Sequence, residues 1–87
     1  MAIHVELFGI PRERAGVGAA EVAGRTLGDV LTALAARFPR LAGECICDAR
    51  LVDGYTANVN GQRFVVDPAT PLADGDAVLL LSADAGG

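Results

Sequence analysis

Few residues in this chain could do chemistry, and those best placed to do it stand at its end. The sequence closes Ser82-Ala83-Asp84-Ala85-Gly86-Gly87. Residues this small bury little area, and glycine loses the most backbone entropy when it is fixed, so packing is not what the arm is suited to. It offers instead a slim, flexible peptide carrying a free α-carboxylate. Such an arm can thread a narrow active site where any Cβ would clash, so that a partner can activate the carboxylate. Gly87 is therefore the candidate reacting residue, and Gly86 supplies slimness and reach.

The remaining candidates are weaker. Cys45 and Cys47 are separated by one residue, but no third cysteine exists and His4 is the only histidine. One chain then lacks the ligands for a closed zinc site or an iron–sulfur cluster. A disulfide across a single residue would be strained, and no lysine or histidine neighbour is visible to lower a thiol pKa. A packing role is expected for both, with a single-thiol relay as the functional alternative. No metal site and no bound cofactor are expected. All seven basic residues are arginine, which removes any Schiff-base or phosphate-loop lysine and any side-chain amine that could accept an isopeptide bond from a second copy.

Eighty-seven residues make one domain with one modest core, too small to enclose a substrate cleft. With 52% hydrophobic and 21% charged residues, the chain can fold without metal or disulfides. The longest wholly apolar run, residues 77–81, is too short for a bilayer, and the N-terminus lacks the basic and apolar segments of an export signal. A cytoplasmic protein with no membrane contact is expected. The net charge of −4 argues against nucleic acid and for docking on a basic protein partner.

The elements that must hold the arm follow from periodicity. Residues 2–8 alternate as a strand, with Ile3, Val5 and Leu7 on one face and His4, Glu6 and Phe8 on the other. Residues 9–18 are expected to form a glycine- and charge-rich loop, and residues 19–23 a second strand in hairpin with the first. Thr26 is a good helix N-cap, with Asp29 three residues on. Leu27, Leu31, Leu34 and Phe38 give the buried stripe, and Pro39 ends the helix. Gly28 in the first turn reads as a small cost. Residues 40–54 are expected to be an irregular crossover. Asn60-Gly61 signals a type I′ turn in a hairpin over residues 56–66. Leu72 plugs the next loop, and Asp74-Gly75 turns into the last strand. Residues 77–81 are apolar on both faces, as a central strand requires. If that strand pairs with the first, Val78 and Leu80 face the helix, and Leu79 and Leu81 share the other face with Phe8. The expectation is an α+β fold of β-grasp type, a mixed sheet of about four to five strands on one main helix, with the last strand parallel to the first. Residues 1–81 form the domain, and residues 82–87 a flexible tail. Phe8, Leu79 and Leu81 are the candidate docking patch.

The chain resembles the ubiquitin-like sulfur carriers, most of all the small subunit of molybdopterin synthase, with the thiamine-pathway carriers as close relatives. The resemblance is carried by Pro11-Arg12-Glu13-Arg14 after the first strand, by Thr26-Leu27-Gly28-Asp29-Val30-Leu31, by Asn58-Val59-Asn60-Gly61, by residues 70–78, and by Gly86-Gly87. It implies that a partner enzyme uses ATP to adenylate the carboxylate of Gly87, which then becomes a thiocarboxylate. The loaded arm would insert into the synthase's large subunit, or another sulfur-accepting enzyme, and donate its sulfur. Catalysis would sit in those partners, leaving this chain a non-catalytic sulfur-donating subunit. The synthase's small subunit approaches its glycines through prolines and a valine, whereas here Asp84 stands where an apolar anchor is expected. A matching partner should present an arginine or lysine there, since an unpaired buried carboxylate is costly. Thiamine, cysteine and secondary-metabolite synthesis are the alternative destinations of the sulfur. A ubiquitin-like protein modifier and an adaptor domain are the alternative roles.

Overall fold

Strand β7 (Ala77–Ser82) lies at the centre of the molecule, whose computed structural model describes residues 2–86. It pairs in parallel with β1 (Ala2–Leu7) and antiparallel with β5 (Tyr55–Val59). The hairpin partners β2 (Ala19–Ala23) and β6 (Arg63–Val65) complete a five-stranded mixed sheet in the order β2-β1-β7-β5-β6. The apolar character of β7 on both faces is explained by this central place. Val78 and Leu80 point into the core with Ile3, Val5, Leu7, Ala57 and Val59.

One main helix, α2 (Leu27–Arg37), covers that face. Leu27, Val30, Leu31 and Leu34 are wholly buried, each contributing about 1.5–3 kcal/mol by leaving water. Phe38 is the C-cap, half-buried, with the Arg37 guanidinium 5.3 Å from its ring centroid. At the other end, Thr26 Oγ1 accepts from the Asp29 N–H at 3.2 Å, and Asp29 Oδ2 accepts from the Arg25 N–H at 3.0 Å. The first-turn donors of a helix have no partner within it. Here the Leu27 and Gly28 N–H groups donate to the carbonyls of Thr70 and Pro68, both at 2.9 Å. That close approach explains Gly28: an added Cβ would stand 3.2 Å from both the Cβ and the carbonyl oxygen of Pro68.

Two segments differ from expectation. Residues 9–18 contain a short helix, α1 (Ile10–Ala15), with Pro11 buried in its first turn and Gly16 as a left-handed C-cap donating to the Arg12 carbonyl. Six residues are too few to show a helical period, so only the end signals could have marked it. Within the crossover, a 3₁₀ turn (Pro39–Leu41) leads to a two-stranded ribbon of β3 (Ile46–Cys47) and β4 (Arg50–Leu51). Its turn holds Asp48 and Ala49 at φ of 52° and 61°, a region that costs a residue with a Cβ about 1–2 kcal/mol. Ala49→Gly removes that strain and adds backbone freedom to the unfolded chain, so a net gain of about 0.5–1 kcal/mol is expected. A denaturant midpoint below the parent's would show that the alanine methyl packs more favourably than its backbone is strained.

Asn60-Gly61 turns as expected, both residues at positive φ, with the Gln62 N–H donating to the Val59 carbonyl at 3.0 Å. Asn60 also ties the hairpin to β7. Its Oδ1 accepts from the Ala77 N–H at 2.8 Å, and its Nδ2 donates to Asp76 Oδ1 at 3.0 Å.

Candidate functional site

The face of the sheet turned away from α2 is open, and strand register sets its side chains in rows. The middle row runs Ala19, Glu6, Leu79, Asn58, Phe64 across all five strands. One step toward the C-terminal end of β7, Leu81 stands opposite Thr56. Phe8 lies on the other side of Leu81, its N–H donating to the Leu80 carbonyl at 3.0 Å. Val66 follows β6 beside Thr56. The expected trio of Phe8, Leu79 and Leu81 is thus brought onto one face, in two adjacent rows. Its members are unequally available. Phe8 is 51% exposed and Leu79 half-buried, but Leu81 is only 5% exposed. Leu81 is shielded although it lies outside the main core cluster.

Phe64 and Val66, 57% and 58% exposed, widen the apolar end of this face and were not singled out from the sequence. Their signal was present in the two-residue period counted back from the Asn60-Gly61 turn. Reading residues 64–66 as one apolar return strand hid it.

The opposite end of the face is polar. His4 Nδ1 lies 2.7 Å from Glu21 Oε1, and its Nε2 lies 3.5 Å from Glu6 Oε1. The Glu21 hydrogen bond, helped by both carboxylate charges, raises the imidazole pKa above its ordinary value of 6.5. A raised folded pKa means that whatever this pair adds to stability is fully present below pH 6.5, and is lost as pH rises through the folded pKa. Glu21→Gln should therefore bring the His4 titration, followed by ¹H–¹⁵N NMR of the ring, down toward 6.5. An unchanged midpoint would show that Glu21 does not hold the proton. Asp76 is shifted the other way, its carboxylate held below the usual value by the Ala73 N–H at 2.8 Å and by Asn60 Nδ2.

The arm leaves from the apolar end. β7 runs through Ser82, and Ala83–Gly86 form a single helical turn, α3. The Ala83 N–H donates to the Gly54 carbonyl at 2.7 Å, so the exit of the chain is pinned to the loop before β5. Asp84 is exposed in that turn. Gly86 closes it, and Gly87 lies outside the described residues.

The cysteines sit apart from one another. Cys45 is wholly buried in the core cluster and Cys47 is exposed, both as free thiols. Burial pushes the Cys45 thiol up, and the Tyr55 hydroxyl bonded to it partly offsets this. A protonated, enclosed sulfur is suited to packing rather than to nucleophilic attack. Among the described residues no group of three histidine, cysteine or acidic side chains could hold a metal ion, and no helix is long and apolar enough to cross a membrane.

The ThiS family model matches residues 5–87. No curated protein matches the chain in sequence. Among solved structures, SAMP1 of Haloferax volcanii superposes with a TM-score of 0.84 at 27% identity, covering 100% of both chains. CysO of Mycobacterium tuberculosis gives 0.72 at 29% identity, over 93% of this chain and 98% of that one. A putative molybdopterin converting factor subunit 1 from Pyrococcus furiosus gives 0.72 at 25%, over 94% and 97%. These likenesses favour no single subfamily, so a specific kinship with the molybdopterin synthase subunit does not stand out among them. The solved structures it resembles thus include a small archaeal modifier protein and a subunit of a molybdopterin converting factor.

Proposed function

Since this chain belongs to the ThiS family of ubiquitin-like sulfur carriers, we propose that it carries sulfur on the carboxylate of Gly87. The observation behind this is the family match running to residue 87, on a chain whose arm leaves a central strand beside an exposed apolar patch. The carboxylate attacks the α-phosphate of ATP on a partner enzyme, and pyrophosphate leaves. Hydrosulfide from the sulfur source then attacks the acyl carbon, the bond to AMP breaks, and a thiocarboxylate remains. Adenylation is needed because a carboxylate is a poor electrophile, and the thio-acid delivers a soft nucleophile without releasing free sulfide. The folded body supplies recognition, through Phe8 and Leu79 together with Phe64 and Val66, while the shielded Leu81 supports the patch from within the fold. Asp84 contributes a charge that asks for a basic group on the partner.

The likenesses to a modifier protein and to CysO weigh more for an acceptor outside the molybdopterin route than for the synthase's large subunit. Sulfur for cysteine, thiamine or a secondary metabolite is the preferred destination. A protein-modifier role is the second reading, favoured by the full-length match to SAMP1. Intact mass after incubation with the cognate activating enzyme, ATP and a sulfur source tests both. A gain equal to one oxygen-to-sulfur exchange, located on Gly87, supports the carrier. Covalent adducts on lysines of other proteins in its place support the modifier. If neither forms with any activating enzyme of its own cell, both are wrong.

A further inference from the structure

The open face holds a recess of about 260 Å³ over the row Glu6–Leu79–Asn58, with Asn60 and Ala77 at its polar end. Leu79 is the centre of that row, so the floor is apolar. Glu6 and Asn58 stand one strand away on either side, neighbouring strands being about 4.8 Å apart. The Asn60 amide oxygen accepts from Ala77 and one of its N–H groups donates to Asp76. Two acceptors remain in the walls, the Glu6 carboxylate and the Asn58 amide oxygen. Glu6 is exposed, with His4 Nε2 3.5 Å away. Asn58 Oδ1 is buried and finds no donor among the described residues, a cost that folded proteins seldom carry without a reason.

We propose that this recess receives an arginine side chain of the protein partner, with its stem over Leu79 and Ala77 and its guanidinium donating to Glu6 and to Asn58 Oδ1. The inference rests on the carrier reading and names what the partner must present at this point. Arginine has five donors in a planar fork, enough to serve acceptors on both sides of an apolar floor, whereas lysine brings a compact, strongly hydrated point charge. Its methylene stem suits the floor. The terminal torsion of asparagine is broad, so a turn of the amide exchanges its open NH2 for the enclosed oxygen and brings that oxygen to an incoming donor. A carboxylate guest would meet Glu6 and a chain of net charge −4, and is repelled.

NMR titration of the labelled full chain tests this with acetyl-Gly-Arg-Gly-amide and its citrulline counterpart, which keeps the shape and loses the charge. The arginine peptide should shift the Asn58 side-chain amide and the Glu6 and Leu79 backbone signals saturably. Citrulline should bind at least about tenfold more weakly, as the loss of a charge-assisted hydrogen bond implies. Glu6→Gln and Asn58→Val should each abolish that preference. Asn58→Val, which removes the unpartnered oxygen from a strand, should also melt above the parent. Equal responses to the two peptides, no saturable shift at Asn58, or arginine binding unaltered by Glu6→Gln would overturn the proposal. Those failures leave the sulfur gain at Gly87 untouched. A chain that binds the peptide but never gains sulfur loses the carrier reading and keeps the recess.

Discussion

A chain lacking Gly87 is expected to acquire sulfur at less than about one hundredth of the parent's rate. Its carboxylate sits one residue back, about 3.3–3.6 Å of reach, and a misplacement of about 1 Å can already cost about a hundredfold. The arm's reach is counted from the exit of β7, which the Ala83–Gly54 hydrogen bond holds to the body. One residue added after Gly87 should do equal damage, since the reacting carboxylate then lies too far along. Gly86→Ala adds a Cβ where a narrow channel has no space for one. None of these changes touches the core, so all three variants should melt within a few degrees of the parent. Intact mass after timed incubation with the activating enzyme, ATP and a sulfur source reads the result. Thiocarboxylate formed at the parental rate in the shortened or extended chain would refute the carrier reading.

Phe8→Ala should weaken binding to the activating enzyme by at least about tenfold, the factor that 1.4 kcal/mol produces. Truncating an apolar anchor at the centre of an interface typically costs about 2 kcal/mol or more. Phe8 stands half-exposed beside Leu81 at the foot of the arm, and the proposed docking puts it at the centre of such an interface. Phe64→Ala, farther out on β6, should cost less. Because both rings are exposed, stability should hardly change, and calorimetric titration can be read without correction for unfolding. Leu81→Ala is a poorer probe, because its side chain is 5% exposed and its loss would also destabilise the fold. Parental affinity in the Phe8 and Phe64 variants together would remove the patch from the docking surface.

Where sequence reading succeeded, a periodic signal had a single physical cause. The two apolar faces of residues 77–81 follow from a strand with neighbours on both sides, and that placed β7 beside β1. The Thr26 cap and the leucine stripe followed in the same way from a helix with one buried side. Reading failed where the cause was tertiary. Gly28 looked like a local cost, but its absent Cβ is what lets the Pro68 carbonyl reach the helix N-terminus. Asn60 was read only as a turn residue, yet its amide also ties the hairpin to β7. The candidate site divides along the same line. The face shared by Phe8, Leu79 and Leu81 was legible from strand parity. The recess beside Asn58 was not, because it depends on which residues three non-consecutive strands set side by side.

The place of β7 has a mechanical consequence. A partner that grips the arm and later lets it go applies its load at the end of this strand, along its axis. The ladders to β1 and β5 lie on either side of β7, so such a load acts on them in shear, many bonds sharing it at once. A hairpin edge would instead open one bond at a time, like a zipper. On the carrier reading, the arm is drawn out of its channel while the body keeps its shape, ready for the next round of loading.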